Sequence, residues 1–440
     1  MSLFSLGVMR AKDIFSAEMP VGVVYRSTTP NGLQFVRSLG EAGVQVLALG
    51  DGGRAMGMYS KYAYPMLCPD GMREENAFLH FLEKIGQKLA QKATLFLMND
   101  PHVVTVAHHR HLLDEYYRIP LPNWEVLERC LNKAKMYDVA HQAGVPIPVT
   151  YTLTSDEEAE KISRQIPYPC ILKPVSRYEY RDGVLRQKAF QHTYGSKAWR
   201  AKNADELVSQ FRRTKVDDFR VIVQEEIPGP EDALYTVGIY ADRQSELRGV
   251  FTGRKLRQIP PDFGTCTYGE SLNQPGIVDL GERLVKALGF HGIAQIEFKL
   301  DARDGKFKLM EINPRGWQWS CLATACGVNL PYIAYCDLNG LPLPVAPQTT
   351  MRKTWTHMGD DFQHFWQFGR KGRLCERMSL WAWLTWAWLT ILCKDNHDAV
   401  FSWRDPLPGL MVILSPIRRV LRGLRRSLRT LLWRGVGEPA

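Results

Sequence analysis

"LMEINPRGWQWS", residues 309–320, alternates like a strand over Leu309, Met310, Glu311, Ile312 and Asn313. One face of that alternation carries a carboxylate and an amide, and Arg315, Trp317 and Trp319 follow at once. A strand half-buried on one side repeats with period two, so Glu311 and Asn313 share a face. Upstream lies "GIAQIEFKLDARDGKFKLMEIN", two alternating runs joined by a glycine-containing turn, which reads as a β-hairpin.

Register decides what the hairpin can do. With a two-residue loop at Asp304 and Gly305, Glu297 would face Ile312 and the polar side of one strand would meet the apolar side of the other. A three-residue loop, Arg303 to Gly305 with Gly305 in the left-handed position, sorts the faces. It pairs Asp301 with Phe307, Lys299 with Leu309, Glu297 with Glu311, and Gln295 with Asn313. The core side then holds Ala294, Ile296, Phe298, Leu300, Met310 and Ile312. Like charges directly opposite one another destabilise a sheet unless something compensates. Glu297, Glu311 and Asn313 offer only oxygen donors, a set that suits Mg²⁺ or Mn²⁺ completed by phosphate oxygens and water rather than zinc. The competing reading pairs the two glutamates with Lys299, Lys308 or Arg315 on a solvated face.

Outward from the hairpin, the 440-residue chain is 45% hydrophobic, enough for two to four structural units. Residues 1–19 form an N-terminal extension. Residues 20–125 alternate strand and helix ("VGVVYR", "GLQFVRSLGEAG", "VQVLALG", "ENAFLHFLEKIGQKLAQK", "ATLFLMND"), the pattern of a parallel α/β unit. No Gly-x-Gly-x-x-Gly follows the first strand, which argues against a dinucleotide site. A helix in "WEVLERCLNKAKMYDVAHQAG" closes at Gly144 and Pro146. Residues 147–345 mix short strands, Gly/Pro turns and helices starting after Ser155 and Asn203, an α+β composition. Residues 346–440 contain "LWAWLTWAWLTILC" and an arginine-rich tail.

The net charge of +10 is concentrated: residues 416–440 hold seven arginines and one glutamate. The remaining body is mildly basic, which argues against a nucleic-acid partner. Nine scattered cysteines without a CxxC pair indicate reduced thiols and a cytoplasmic location. In the tail, Ile417, Val420, Leu421, Leu424, Leu428, Leu431 and Leu432 fall at helical spacing among the arginines, a pattern that suggests a basic helix on a membrane surface, here the inner face, with a partner-binding or solvated helix as the alternative. The run Leu380 to Cys393 is too short to span a bilayer and reads as an interfacial or core helix. "HHRH" at 108–111 has no acidic or cysteine partner at ligand spacing.

Glu297 on one strand with Glu311, Asn313 and Arg315 in "MEINPR" on the next resembles the metal-binding pattern of the ATP-grasp superfamily, the ATP-dependent carboxylate–amine or thiol ligases. The resemblance covers roughly residues 20–340. It implies a parallel pre-ATP-grasp α/β domain at 20–125 and a two-subdomain ATP-grasp fold at 126–345 with its lid at about 147–226. A helical, basic C-terminal extension follows. It further implies ATP and Mg²⁺ (or Mn²⁺) as cofactors, with Glu297, Glu311 and Asn313 holding the metal. "LNKAKMYDVAHQAGVPIP" makes Lys133 a phosphate ligand, and "YPCILKPVS" places Lys173 on the α and β phosphates. "VIVQEEIPGPED" resembles the adenine hinge: the Glu225 side chain and the backbone of Glu226 and Ile227 would meet the base, with Glu231 or Asp232 at the ribose. Lys255 and Arg257 would face the substrate carboxylate, and Arg315 would stabilise the transferring phosphoryl group. The segment after Lys173 departs from the family by being poor in glycine. Phosphate covering then falls to Arg186, Lys188 or Lys197, of which Lys197, after a Gly-Ser pair, is preferred.

The implied activity is ADP-forming amide synthesis through an acyl phosphate, on small-molecule or glycan-linked carboxylates and amines. Cell-envelope or polysaccharide precursors enter by analogy with relatives. An ATP-binding regulatory or scaffold protein of weak activity is the alternative, and a kinase-like transfer to a hydroxyl a third. Trp317 and Trp319 are left between core and pocket wall.

Overall fold

The computed structural model describes residues 14–414 apart from 52–55, 177, 182–183, 188–192, 194–195, 217–218, 262, 346 and 370–378. The basic tail helix expected after residue 415, together with Lys188, lies outside the described residues.

Three sheets organise the chain. The first has five parallel strands in the order Ala63–Cys68, Val46–Asp51, Gly22–Tyr25, Ala93–Leu97 and Tyr117–Arg118. Its inner strands are buried on both faces, as parallel strands under crossover helices must be. Ala63–Cys68, a strand not among those expected above, contains Pro65. Among the described residues it pairs only with Val46–Asp51 and so sits at the edge, where a proline is tolerated.

The second sheet is antiparallel, in the order Trp199–Ala201, Cys170–Pro174, Val221–Glu225 and Thr150–Leu153. The helices Asp156–Ser163 and Ala204–Val216 cover it, burying Ala159, Ile162, Leu207 and Phe211 against Leu172 and Val223. Both helices start as the sequence indicates: the Ser155 hydroxyl accepts the Glu158 N–H, and the Asn203 side chain accepts that of Glu206. In the segment after Lys173, Tyr178–Arg181 and Val184–Gln187 pair as a small antiparallel hairpin.

The third sheet has seven strands in the order Lys306–Asn313, Gly292–Asp301, Leu234–Ala241, Leu247–Ile259, Thr265–Ser271, Thr354–Thr356 and Asn396–Asp398. All pairs are antiparallel except the last. Helices Lys133–Gln142 and Pro275–Leu288 pack on one face through Met136, Ala140, Leu284 and Val285, against Ile239, Ile296 and Phe298. The other face is joined by Leu33, Val36 and Leu39 of helix Pro30–Glu41, so Trp317, Trp319 and Trp355 lie in one core with the first sheet's crossover helix. The C-terminal extension adds its two strands to this sheet and fastens it back to the first. Arg37, buried, donates to Asp405 and to the Val400 carbonyl, and the Gln34 side chain donates to the Ala399 carbonyl.

The hairpin reaches the expected pairing by another route. Its loop spans four residues, 302–305, with Asp301 opposite Lys306, and Gly305 has φ +68°. Lys299 therefore meets Lys308, and Leu300 meets Phe307, instead of the partners expected from a three-residue loop. A bulge then restores the register: Phe298 opposes Leu309 while Glu297 opposes Glu311, leaving Met310 as the extra residue. Leu309, not Met310, is consequently the one fully buried in the core.

Candidate functional site

The bulge places the two carboxylates. Glu297 and Glu311 stand directly opposite one another, and Gln295 opposes Asn313. The Asn313 amide donates to the Gln295 side-chain oxygen at 3.3 Å, and the Gln295 amide donates to Glu297 at 3.1 Å and to the Thr236 hydroxyl at 3.2 Å. From the strand Leu247–Ile259, buried Lys255 reaches Glu297 with Nζ 2.7 Å from its carboxylate. Burial works against the Lys255 charge, yet the Glu297 carboxylate, with Glu311 further off, holds its ammonium above the ordinary value. The compensation expected from a cation is thus supplied in part by a lysine.

Arg315, past the strand end, forks onto Asp100 at the start of helix Asp100–His108 and donates to the Asn313 side-chain oxygen at 3.3 Å. Asp100 comes from the first sheet's unit, over two hundred residues away in sequence, and nothing in the sequence pointed to it.

These groups border a cavity of about 540 Å³. Of the predicted residues it collects Lys197, Lys255, Glu297, Glu311, Asn313 and Arg315. It also collects residues that the sequence did not mark: Asn31 and Asn99 from the N-terminal unit, Gln318, and His357 and Asp360 from the C-terminal extension. The His357 ring accepts the Asp360 N–H as the cap of helix Met358–His364, and Gln318 donates to the Asp360 carboxylate at 3.3 Å. Trp317 and Trp319 are both core and wall: each is buried, and each borders the cavity. Trp317 presses on Gly238, where an added Cβ would lie 2.1 Å from the ring.

Lys173 and Lys133 lie along a seam beside this hairpin. Lys173 Nζ donates to the Gln224 side chain at 2.9 Å and to the Tyr137 hydroxyl at 3.3 Å, and that hydroxyl donates to the carbonyl of the bulged Met310 at 2.9 Å. Burial pushes the Tyr137 hydroxyl above its usual range, so it remains a donor. Lys133 opens its helix with its N–H on the Val175 carbonyl, two residues beyond Lys173. One chain of contacts therefore links the second-sheet strand Cys170–Pro174 to the carboxylate strand.

Two expectations are corrected by geometry. Arg257 does not face the cavity beside Lys255. The ladder to Thr265–Ser271 slips by one residue between them, breaking the two-residue alternation, and Arg257 is held by Asp361 at 2.8 and 3.1 Å between the rings of Tyr268 and Trp386. The Glu225 side chain is not presented to a ligand: it accepts from the Val149 N–H, Arg303 and Lys308. Glu226 is turned to strand Trp199–Ala201, where Arg200 grips it with two hydrogen bonds of 2.6 Å. Ile227 is buried beside them, and Asp232 lies 3.9 Å from Arg254. At positions 108–111, His108 packs on the Trp124 ring and His109 bonds to the Thr105 carbonyl.

Comparison with known proteins agrees with this architecture. Residues 218–358 match the family described as ATP-grasp in the biosynthetic pathway with Ter operon. N5-carboxyaminoimidazole synthetase from Staphylococcus aureus, solved as its ADP complex, superposes with a TM-score of 0.59 at 13% identity over 81% of this chain and 87% of that one. The chain has the ATP-grasp fold. Another ATP-grasp structure, the biotin carboxylase domain of 2-oxoglutarate carboxylase from Hydrogenobacter thermophilus with MgADP and bicarbonate, gives a TM-score of 0.57 at 17% identity, covering 76% of this chain and 73% of that one. By sequence, D-aspartate ligase of Enterococcus faecium is 25% identical over 285 residues, 62% of this chain and 65% of the ligase. The match thus spans a little under two thirds of that relative's length.

Proposed function

We propose that this protein is an ADP-forming ATP-grasp ligase that activates a carboxylate as an acyl phosphate and joins it to an amine. The observation that carries the reading is the Glu297–Glu311 pair with Asn313, opposed across one ladder beside the Lys255 ammonium and open to a cavity that three parts of the chain build. The similarity to a D-aspartate ligase and the ADP-bound and MgADP-bound neighbours of the same fold support it.

The donor set fits a hard divalent cation. Among the described residues no three His, Cys, Asp or Glu side chains gather at one point. A cation here would take Glu297, Glu311, Asn313 and ligand phosphate oxygens, as Mg²⁺ does in nucleotide sites. When bound, it would neutralise phosphate charge; the chain's own groups do the rest. Lys133 and Lys173, on the seam at the lid strand, hold the phosphates, and Lys197 covers them from above. The backbone of Glu226 and Ile227 meets the adenine, with Asp232 at the ribose. Arg315, kept in place by Asp100, stabilises the transferring group, and Lys255 orients Glu297 at the acid substrate. Asp360 and His357 form part of the cavity wall. In the first step the substrate carboxylate oxygen bonds to the γ-phosphorus and ADP leaves. In the second the amine nitrogen bonds to the acyl carbon, losing a proton, and inorganic phosphate leaves. The wall of Trp317 and Trp319 limits water, which would hydrolyse the acyl phosphate.

The envelope or polysaccharide precursor and the peripheral placement of the basic segment 416–440 at a membrane's inner face are part of this reading and rest on sequence alone. A screen of amino acids against uronic-acid and peptide acceptors, read by ADP release, tests the ligase. ADP formation requiring both an acid and an amine is expected. ADP release indifferent to both would favour the regulatory reading, and a stable phosphoester without amine consumption would favour a kinase.

A further inference from the structure

The helix Leu380–Leu392, LWAWLTWAWLTIL, has no charged residue. One side packs: Trp383 donates its indole N–H to Asp361 at 3.0 Å and meets the Phe362 ring at 4.9 Å, Ala387 is buried, and Trp386 covers Arg257 at 4.2 Å. The other side does not. Trp381 is 79% exposed, Trp388 64% and Leu389 61%, with Leu384 and Leu392 beside them at helical spacing. Further along, Trp403 is 77% exposed, and Leu410, Ile413 and Leu414 are exposed where the described chain ends. Isolated surface apolars are ordinary, but a face of two tryptophans and three leucines without a charge is a contact surface.

We propose that this face docks on an anionic lipid bilayer, lying in the plane of the headgroups. Three observations select that occupant. The helix, about 20 Å long at 1.5 Å per residue, is too short to cross a bilayer, and no helix among the described residues is long and apolar enough to do so. Tryptophan, apolar in body with one polar N–H, is the residue of membrane interfaces. Residues 416–440, which follow the exposed Leu410, Ile413 and Leu414 in sequence, carry seven arginines against one glutamate and complement anionic headgroups. A protein partner would be expected to bring charges of both signs to the rim, and the helix offers it none.

The position matters for the cavity. Trp383 and Trp386 hold Asp361 and Arg257, and Asp361 is the neighbour in sequence of the cavity residue Asp360. A bilayer seated on this helix lies one helix away from the wall formed by His357 and Asp360. The docking face rests on exposure and charge and does not depend on the ligase reading.

The test uses the full chain in co-sedimentation with phosphatidylcholine vesicles, with and without phosphatidylglycerol. Variants are Trp381→Ser/Trp388→Ser/Leu389→Ser and a chain ending at residue 415. The wild type is expected to sediment with the anionic vesicles. The triple variant, its tail intact, is expected to lose about tenfold in affinity, and its unfolding midpoint should not fall because the replaced side chains are exposed. The shortened chain should lose the salt-sensitive part of binding. Quenching of wild-type tryptophan fluorescence by brominated lipid, diminished in the triple variant, would show that these rings enter the interface. Vesicle binding by the triple variant equal to wild type overturns the proposal, as does no binding by the wild type. A wild-type dimer that the triple variant converts to monomer, with vesicle binding unchanged, would assign the face to a second copy and overturn it as well.

Discussion

The two ends of one hairpin, Gly292–Asp301 with Lys306–Asn313, carry similar charges and put them to opposite uses. At the turn end, Asp301 is fully buried and held by Arg303 and Lys308 at 2.6 and 2.7 Å. The same two cations also reach Glu225 at the end of strand Val221–Glu225, so the knot ties the second sheet to the hairpin. At the other end, Glu297 and Glu311 oppose one another beside the Lys255 ammonium, on the edge of a 540 Å³ cavity. Closed networks of charges fix geometry; a like-charged pair facing a cavity is an arrangement that a ligand completes. The difference teaches that charge count alone does not mark a site. Directness of opposition and access do.

The comparison can be broken by exchanging loss of activity for loss of stability. Glu311→Ala should lower amide synthesis by roughly 10²–10³-fold or more, while the unfolding midpoint stays within a few degrees; steady-state ADP release and a thermal melt check both. Asp301→Asn should do the reverse. Removing one partner from a buried network costs about 2–4 kcal/mol, the solvent-reaching Arg303 keeping it from the upper limit, whereas turnover per folded molecule should persist. Urea titration measures the first and active-site-normalised kinetics the second.

pH sharpens the same contrast. Hydrogen bonds from Arg303, with Lys308 assisting, hold the Asp301 carboxyl well below the usual carboxylate range. A depressed folded value means that the stabilisation is fully present above the unfolded value of about 4 and is lost as pH falls toward the folded one. The stability gap between wild type and Asp301→Asn should therefore shrink below about pH 4, as read by denaturant midpoints across pH. The smallest effect is expected behind the cavity wall. Gly238→Ala forces a methyl into the Trp317 ring and should cost about 1–3 kcal/mol, with a rise in the KM of one substrate if the ring shifts into the cavity.

Much of the site was legible because alternation is a strong signal. The opposition of Glu297 to Glu311 and of Gln295 to Asn313 followed from sorting apolar from polar positions, and the first sheet followed from strand–helix periodicity. The route was not legible. A four-residue loop and a bulge at Met310 replace a three-residue loop, and their offsets cancel at the glutamates while differing between Leu300 and Leu309. Bulges also explain Arg257: a pattern with period two cannot reveal a slip in the ladder beside it. Glu225, expected at the base from the resemblance of VIVQEEIPGPED to an adenine hinge, is claimed by cations from a turn almost eighty residues on. Asp100, His357 and Asp360 enter the site from separate units, and no local pattern connects them to the hairpin.

The central claim is that the open end of the hairpin serves acyl-phosphate chemistry. Once the acid substrate is found, its carboxylate can be labelled with ¹⁸O and the released inorganic phosphate examined by mass spectrometry. The account predicts transfer of one labelled oxygen per turnover in the wild type and in Asp301→Asn, and labelled phosphate formed roughly 10²–10³-fold more slowly by Glu311→Ala. Phosphate released without label, while amide still forms, would contradict it.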